Sequence, residues 1–300
     1  MSQFDYAGLP EGVSRRRIFL PESQIEIALQ DWGGDGPLAL LHHANGFCAA
    51  LWVPVAERLR DRFHVIAMDA RGHGDSAMPS EGATAEAFSW SLMADDLRQV
   101  GEILLEELGQ SQIALGLAHS FGGTLTLAAE SRKPGLFERL VLVDPVVPPQ
   151  AWLKAARSGG ESEMVQRARR RRDRWSSREE ARDLLSSKAL FADWTPRAFE
   201  IYVQEALRES VEGGVELKCA RDVEAAIFSN SFSLDLEKVF PAVAAPTRLL
   251  WAAHGNFPLP IFQDVCDKLP RGELVELDAG HLVLMEKPEW VLDQVLDFCP

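Results

Sequence analysis

Long apolar runs, paired cysteines and an excess of basic charge are all missing from this chain of 300 residues. No stretch approaches the roughly 20 consecutive apolar residues that cross a bilayer, so no membrane span is expected. Cys48, Cys219, Cys266 and Cys299 stand far apart, with no C-x-x-C pair and no His/Cys ligand spacing. That distribution argues against both a metal site and a disulfide framework, and it fits a reducing compartment. A net charge of −14 and a pI near 5.0 repel polyanions, so neither nucleic acid nor an anionic bilayer is an expected partner. The opening residues, Met1-Ser2-Gln3-Phe4-Asp5-Tyr6, lack the basic start and apolar run of a signal peptide, and a cytoplasmic location is expected. There is no internal repeat and no low-complexity linker.

What is present is 46% hydrophobic residues, enough for a large core, arranged as short apolar runs of strand length. Ile18-Phe19-Leu20 and Ile25-Glu26-Ile27-Ala28-Leu29 read as an antiparallel hairpin. Leu38 to Leu41, His64 to Met68, Ile113 to Ala118, Leu140 to Val143, Arg248 to Trp251 and Glu273 to Leu277 follow as further strands, most of them continuously apolar, with helical patterns between several. Between Phe88 and Leu108, for example, Met93, Leu97, Val100, Leu104 and Leu108 share one helical face, and Gly109 supplies the stop. Continuous apolar strands alternating with helices predict an α/β fold, with a mostly parallel central sheet covered by helices on both faces. The alternation stops between residues 148 and 241, where stretches rich in Arg, Glu and Ala predict an inserted helical cap; residues 1–147 and 242–300 form the core domain.

The chemistry starts at Ala118-His119-Ser120-Phe121-Gly122, where a predicted strand meets an alanine-rich helix. Small residues two positions either side of a serine allow a sharp, strained turn that presents the hydroxyl outward, a nucleophile elbow. A serine hydroxyl needs an adjacent base. His281, in Leu277-Asp278-Ala279-Gly280-His281, follows the last predicted strand and so lies at the sheet edge where Ser120 also sits. The backbone N–H of Phe121, next after the nucleophile, is one expected oxyanion donor.

Together these motifs resemble the α/β-hydrolase fold family, in its cap-bearing branch. The matching residues are His43-Ala44-Asn45-Gly46-Phe47, Asp69-x-Arg71-Gly72-His73-Gly74-x-Ser76, the elbow, and Gly280-His281 with Glu286-Lys287-Pro288-Glu289 behind it. The resemblance implies a second oxyanion donor at the N–H of Asn45, with Ala44 the alternative if the register slips by one. It also exposes a departure. Most of the family carries its triad acid just after the strand read here as Leu249-Leu250-Trp251, but this chain has Ala252-Ala253-His254-Gly255-Asn256-Phe257 there. A minority, including haloalkane dehalogenases and lactonases similar to zearalenone hydrolase, places the acid at the end of the strand after the elbow helix, which implies Asp144. The dehalogenases and epoxide hydrolases use an aspartate nucleophile, so serine at position 120 disfavours their reactions.

The expected function is therefore a serine hydrolase acting on an ester or lactone of a medium-sized apolar small molecule. Ser120, His281 and Asp144 act as the triad, and His43, His119, Trp152 and His254 are expected to line the substrate pocket. No metal and no cofactor is required, and the protein is expected as a monomer or homodimer. Carbon–carbon bond hydrolysis or perhydrolysis would use the same triad, and a non-catalytic small-molecule-binding pseudo-hydrolase is the reading from a different class. The run from Arg167 to Arg174 is read as a solvated face of the cap, its charge offset by nearby glutamates.

Overall fold

The structure is a computed structural model that describes residues 9–10, 12–149, 152 and 161–299; the start of the chain, read above as free of a signal peptide, lies outside them. The predicted strands form one eight-stranded sheet in the order β1-β2-β4-β3-β5-β6-β10-β11. β1 (Ser14–Leu20) and β2 (Ile25–Gly33) make the expected hairpin, and β2 runs antiparallel to β4 (His64–Met68). From β4 through β3 (Leu38–His42), β5 (Leu115–His119), β6 (Leu140–Val143), β10 (Thr247–His254) and β11 (Gly272–Gly280), every pairing is parallel. Successive side chains of a strand point to opposite faces, so a continuously apolar strand feeds two cores at once. Leu38, Leu40, Leu140 and Leu142 enter one buried cluster, while Ala39, Leu41, Val141 and Val143 enter the other.

The first cluster is closed by α2 (Trp90–Leu108), through Met93, Leu97, Val100 and Leu104, and by α3 (Phe121–Arg132). α2 starts where the Ser89 hydroxyl accepts the Leu92 N–H and ends at Gly109, whose φ of 62° is the left-handed conformation that closes a helix. The second cluster is closed by α1 (Val53–Leu59) and by the last long helix, Pro288–Phe298. A further helix, Leu259–Lys268, connects β10 to β11 and was not anticipated from the periodicity. Among the described residues, no helix is long and apolar enough to cross a membrane.

Between β6 and β10 the chain forms α4 (Glu163–Arg170), α5 (Arg178–Ser186), α6 (Pro196–Glu205) and α7 (Arg221–Ser229). Contrary to the purely helical expectation, this segment also contains a three-stranded antiparallel sheet of β7 (Arg174–Trp175), β8 (Leu207–Glu209) and β9 (Val215–Leu217), in the order β7-β9-β8. Strands of two or three residues are too short to produce an alternation that sequence can reveal. The insert is fastened to the core at several points. The Trp90 indole N–H donates to the Ile227 carbonyl at 2.8 Å, and the Thr195 N–H donates to the Met285 carbonyl at 3.0 Å. Trp194 and Tyr202 pack with Phe47 of the β3 loop, ring centroids 5.7 and 6.0 Å away.

Candidate active site

Ser120, Asp144 and His281 each follow the C-terminal end of a parallel strand, at β5, β6 and β11. Ser120 sits at φ 56° and ψ −123°, a conformation that costs a side-chain-bearing residue about 1–3 kcal/mol. The surroundings hold it there. Its N–H donates to the Val143 carbonyl at 2.8 Å, and its own carbonyl accepts from Gly123 at 3.0 Å and Val146 at 3.3 Å. The glycine two residues on is required by space, since a Cβ at Gly122 would lie 2.4 Å from His42 Nδ1 and 2.5 Å from the His43 carbonyl.

The three groups form one chain of hydrogen bonds. Ser120 Oγ lies 2.9 Å from His281 Nε2, and His281 Nδ1 lies 2.5 Å from Asp144 Oδ2. The Asp144 side chain is fully buried, and its Oδ1 accepts the Ala252 N–H at 3.1 Å. The end of β10, where the commoner acid would stand, thus supplies a backbone donor to a carboxylate held by β6. A Cβ at Gly255 would come within 2.5 Å of Asp144 Oδ2, so the loop after β10 passes close against the carboxylate. His254 points away: its side chain is 69% exposed and bonds Asp278 Oδ1 at 2.9 Å.

The other histidines near the elbow are buried structural ties, not walls of the pocket as expected for His43 and His119. Burial lowers His119 to about 3, helped by the neighbouring His281, so it is neutral. Its Nε2 therefore carries the proton that it donates to the His281 carbonyl at 2.8 Å. His43 Nε2 accepts the Ala70 N–H at 2.9 Å, and His73 Nε2 accepts the Gly46 N–H at 3.1 Å. Burial holds His73 near 4 and His43 well below the usual histidine range. Neutral His73 thus pins Gly46 as an acceptor, while His43 donates from Nδ1 to the Ala44 carbonyl at 2.7 Å, so that both hold the loop Ala44-Asn45-Gly46 from below. Asp69 closes the neighbouring turn, accepting from Ala49 at 2.7 Å and Asp75 at 2.9 Å.

Above Ser120 lies a cavity of about 440 Å³. Ser120, His281, Phe121, Ala44 and Asn45 lie in its floor, and apolar groups from the insert and its flanks, Val146, Pro148, Met164, Leu190 and Phe228, close the sides. Of the expected pocket residues, only Trp152 lines it, stacked on Phe257 with centroids 6.0 Å apart. Among the described residues, neither the Phe121 N–H nor the Asn45 N–H has a protein acceptor. The Asn45 side chain does not turn toward Ser120; its Nδ2 donates to the Glu224 carbonyl of α7 at 3.2 Å.

Besides the apolar walls, two charged wall residues were missed, Arg171 and Glu224. Arg171 lies just past α4, in the arginine run read as a solvated face, yet its side chain is only 20% exposed and lines the cavity with Glu224. Arg171 donates from one terminal nitrogen to Glu224 Oε2 at 2.7 Å and from the other to the Tyr202 hydroxyl. The helix ends at Arg170, so the next residue leaves the solvated cylinder and turns inward. No periodicity marks that turn.

A family model described as "Alpha/beta hydrolase family" matches residues 39–294. The chain belongs to this family. Among curated proteins it is similar to 2-(acetamidomethylene)succinate hydrolase of Mesorhizobium japonicum, 34% identical over 37% of this chain and 36% of that one. It is also similar to the soluble epoxide hydrolase of a Corynebacterium species, 27% identical over 89% of this chain and 91% of that one. The matched stretches take in only 41%, 36% and 25% of the lengths of three of the curated relatives. Among solved structures, E-2-(acetamidomethylene)succinate hydrolase superposes with a TM-score of 0.78 at 22% identity, over 95% of this chain and 98% of the other, a likeness of fold.

Proposed function

We propose that this chain is a serine hydrolase that cleaves an ester or lactone of a medium-sized, largely apolar small molecule through an acyl-enzyme. The observation that carries the reading is the unbroken Ser120–His281–Asp144 hydrogen-bond chain opening onto an apolar cavity. His281 Nε2 takes the Ser120 proton as Oγ attacks the carbonyl carbon. The buried Asp144 carboxylate receives the Nδ1–H and stabilises the imidazolium. The N–H groups of Phe121 and Asn45, or of Ala44 beside it, receive the oxyanion. His281 then protonates the leaving oxygen, and water, activated by the same imidazole, releases the acid and restores the Ser120 hydroxyl. Residues 148–241 act in this reading as the cap over the core of 1–147 and 242–300, closing the cavity above the floor. A serine at position 120 remains at odds with epoxide opening through an aspartate nucleophile. The relative named for an acetamido-bearing substrate makes amides the second substrate class to examine.

The test is labelling with a serine-directed phosphonate, together with hydrolysis of p-nitrophenyl esters and anilides. Stoichiometric labelling of the wild type and none of Ser120→Ala is expected. A protein that takes no label and turns over no ester is not a serine hydrolase, and one whose Asp144→Asn form keeps full activity draws its acid from elsewhere.

A further inference from the structure

Among the described residues, the cavity wall contains one charged pair. Arg171 and Glu224 lie against Gly46, one residue from Asn45: a Cβ there would be 3.1 Å from Glu224 Oε1 and 3.4 Å from an Arg171 terminal nitrogen. Both side chains line the cavity, with exposures of 20% and 14%. A guanidinium has five N–H donors, of which the structure engages two, with Glu224 and Tyr202. Glu224 Oε1 has no protein donor among the described residues. The pair therefore offers the cavity unused donors and one unused acceptor, side by side, with no net charge.

That combination selects among ligands. A carboxylate would gain the guanidinium but meet the Glu224 carboxylate in a desolvated site, and an ammonium would meet the reverse conflict. A methyl end would leave both charged groups without water and without a partner. A neutral group that accepts from Arg171 and donates to Glu224 satisfies both. We propose that Arg171 and Glu224 form a subsite for a neutral polar group, such as a carboxamide, that the substrate carries apart from its scissile carbonyl. This assignment rests on the hydrolase reading for its catalytic consequence, but its binding consequence stands apart from turnover.

Two measurements separate them. Binding of octanamide, octanoate, octylamine and octane to the Ser120→Ala protein is followed by displacement of a fluorescent apolar probe. Octanamide is expected to bind about 10–100-fold more tightly than the other three, the span typical of hydrogen bonds to charged groups. In active enzyme, p-nitrophenyl octanoates ending in methyl, carboxamide, carboxylate or ammonium should rank in kcat/KM with the carboxamide first. Normalised to each protein's own rate on the methyl-ended ester, Glu224→Gln should move the preference toward the carboxylate by about tenfold or more, and Arg171→Gln toward the ammonium. A merely structural pair would lower all four substrates together. Tighter binding of octanoate or octane than of octanamide, or a substrate order unmoved by Glu224→Gln, overturns the assignment. If no ester is hydrolysed, the hydrolase reading falls, while the binding order still decides the subsite.

Discussion

At the C-terminal edge of the sheet, the three groups of the proposed triad are tied to backbone: Ser120 to Val143, Asp144 to Ala252 and Leu250, and His281 through its carbonyl to His119. In the insert, by contrast, many charged side chains hold one another across partly open ion pairs, such as Arg174 with Glu212 and Arg172 with Glu180. Backbone ties on strands leave almost no freedom, which suits a nucleophile that must stay within hydrogen-bond reach of its base. Side-chain pairs on a surface segment tolerate substitution, which suits the part of the molecule that shapes a pocket. The Arg171–Glu224 pair belongs to the insert by sequence and to the pocket by position.

The largest way to break this contrast is at the edge. Ser120→Ala should lower kcat by about 10⁴-fold or more, and Asp144→Asn by about 10³–10⁴-fold through the wrong imidazole tautomer, both read from initial rates on p-nitrophenyl esters. Equal losses from an exposed insert residue would erase the distinction. Next comes Gly122→Ala, whose new Cβ meets backbone at 2.5 Å. Chemical denaturation should show a loss of about 1–3 kcal/mol, the range for forced overpacking.

A smaller, graded effect comes from the neutral histidines beneath the site. Burial holds His42 and His73 near 4, below the ordinary 6.5, so the unfolded chain binds more protons between these values. These histidines therefore contribute stability that rises with pH across that window and falls as pH drops through it, by up to about 1.4 kcal/mol per pH unit each, while buried Asp69, raised to about 6, contributes in the opposite sense. Urea midpoints between pH 4.5 and 7 measure the slope, and His73→Gln should flatten it. Least of all, Arg174→Ala removes the exposed pair with Glu212 and a longer contact to Glu216 at 3.4 Å, which Arg208 also holds, and should shift stability by no more than about 0.5 kcal/mol.

Much of the edge was legible because strand, turn and loop are local. Apolar runs placed Ser120, Asp144 and His281 after β5, β6 and β11, and parallel pairing carries the ends of those strands to one side. For the acid, the family resemblance implied Asp144, since the loop after β10 lacks a carboxylate where most of the family has one; its Oδ2 lies 2.5 Å from His281 Nδ1. Pocket residues were another matter. His43, His119 and His254 lie in loops or strand ends beside the motif, yet the first two turn under the floor and the third turns to solvent. Proximity in sequence does not determine which way a side chain points.

By itself, the sequence determined the order of the core strands, the two-sided sheet and the candidate residues at its edge, because periods of about 2 and 3.6 and short motifs are properties of neighbouring residues. Only the tertiary structure decided that Arg171, in a run of surface arginines, faces Glu224 across 53 residues of chain within a cavity wall. It also decided that an unremarkable glycine at 255 passes against the acid. Both depend on packing between distant segments, and close packing between such segments leaves no periodic trace along the chain.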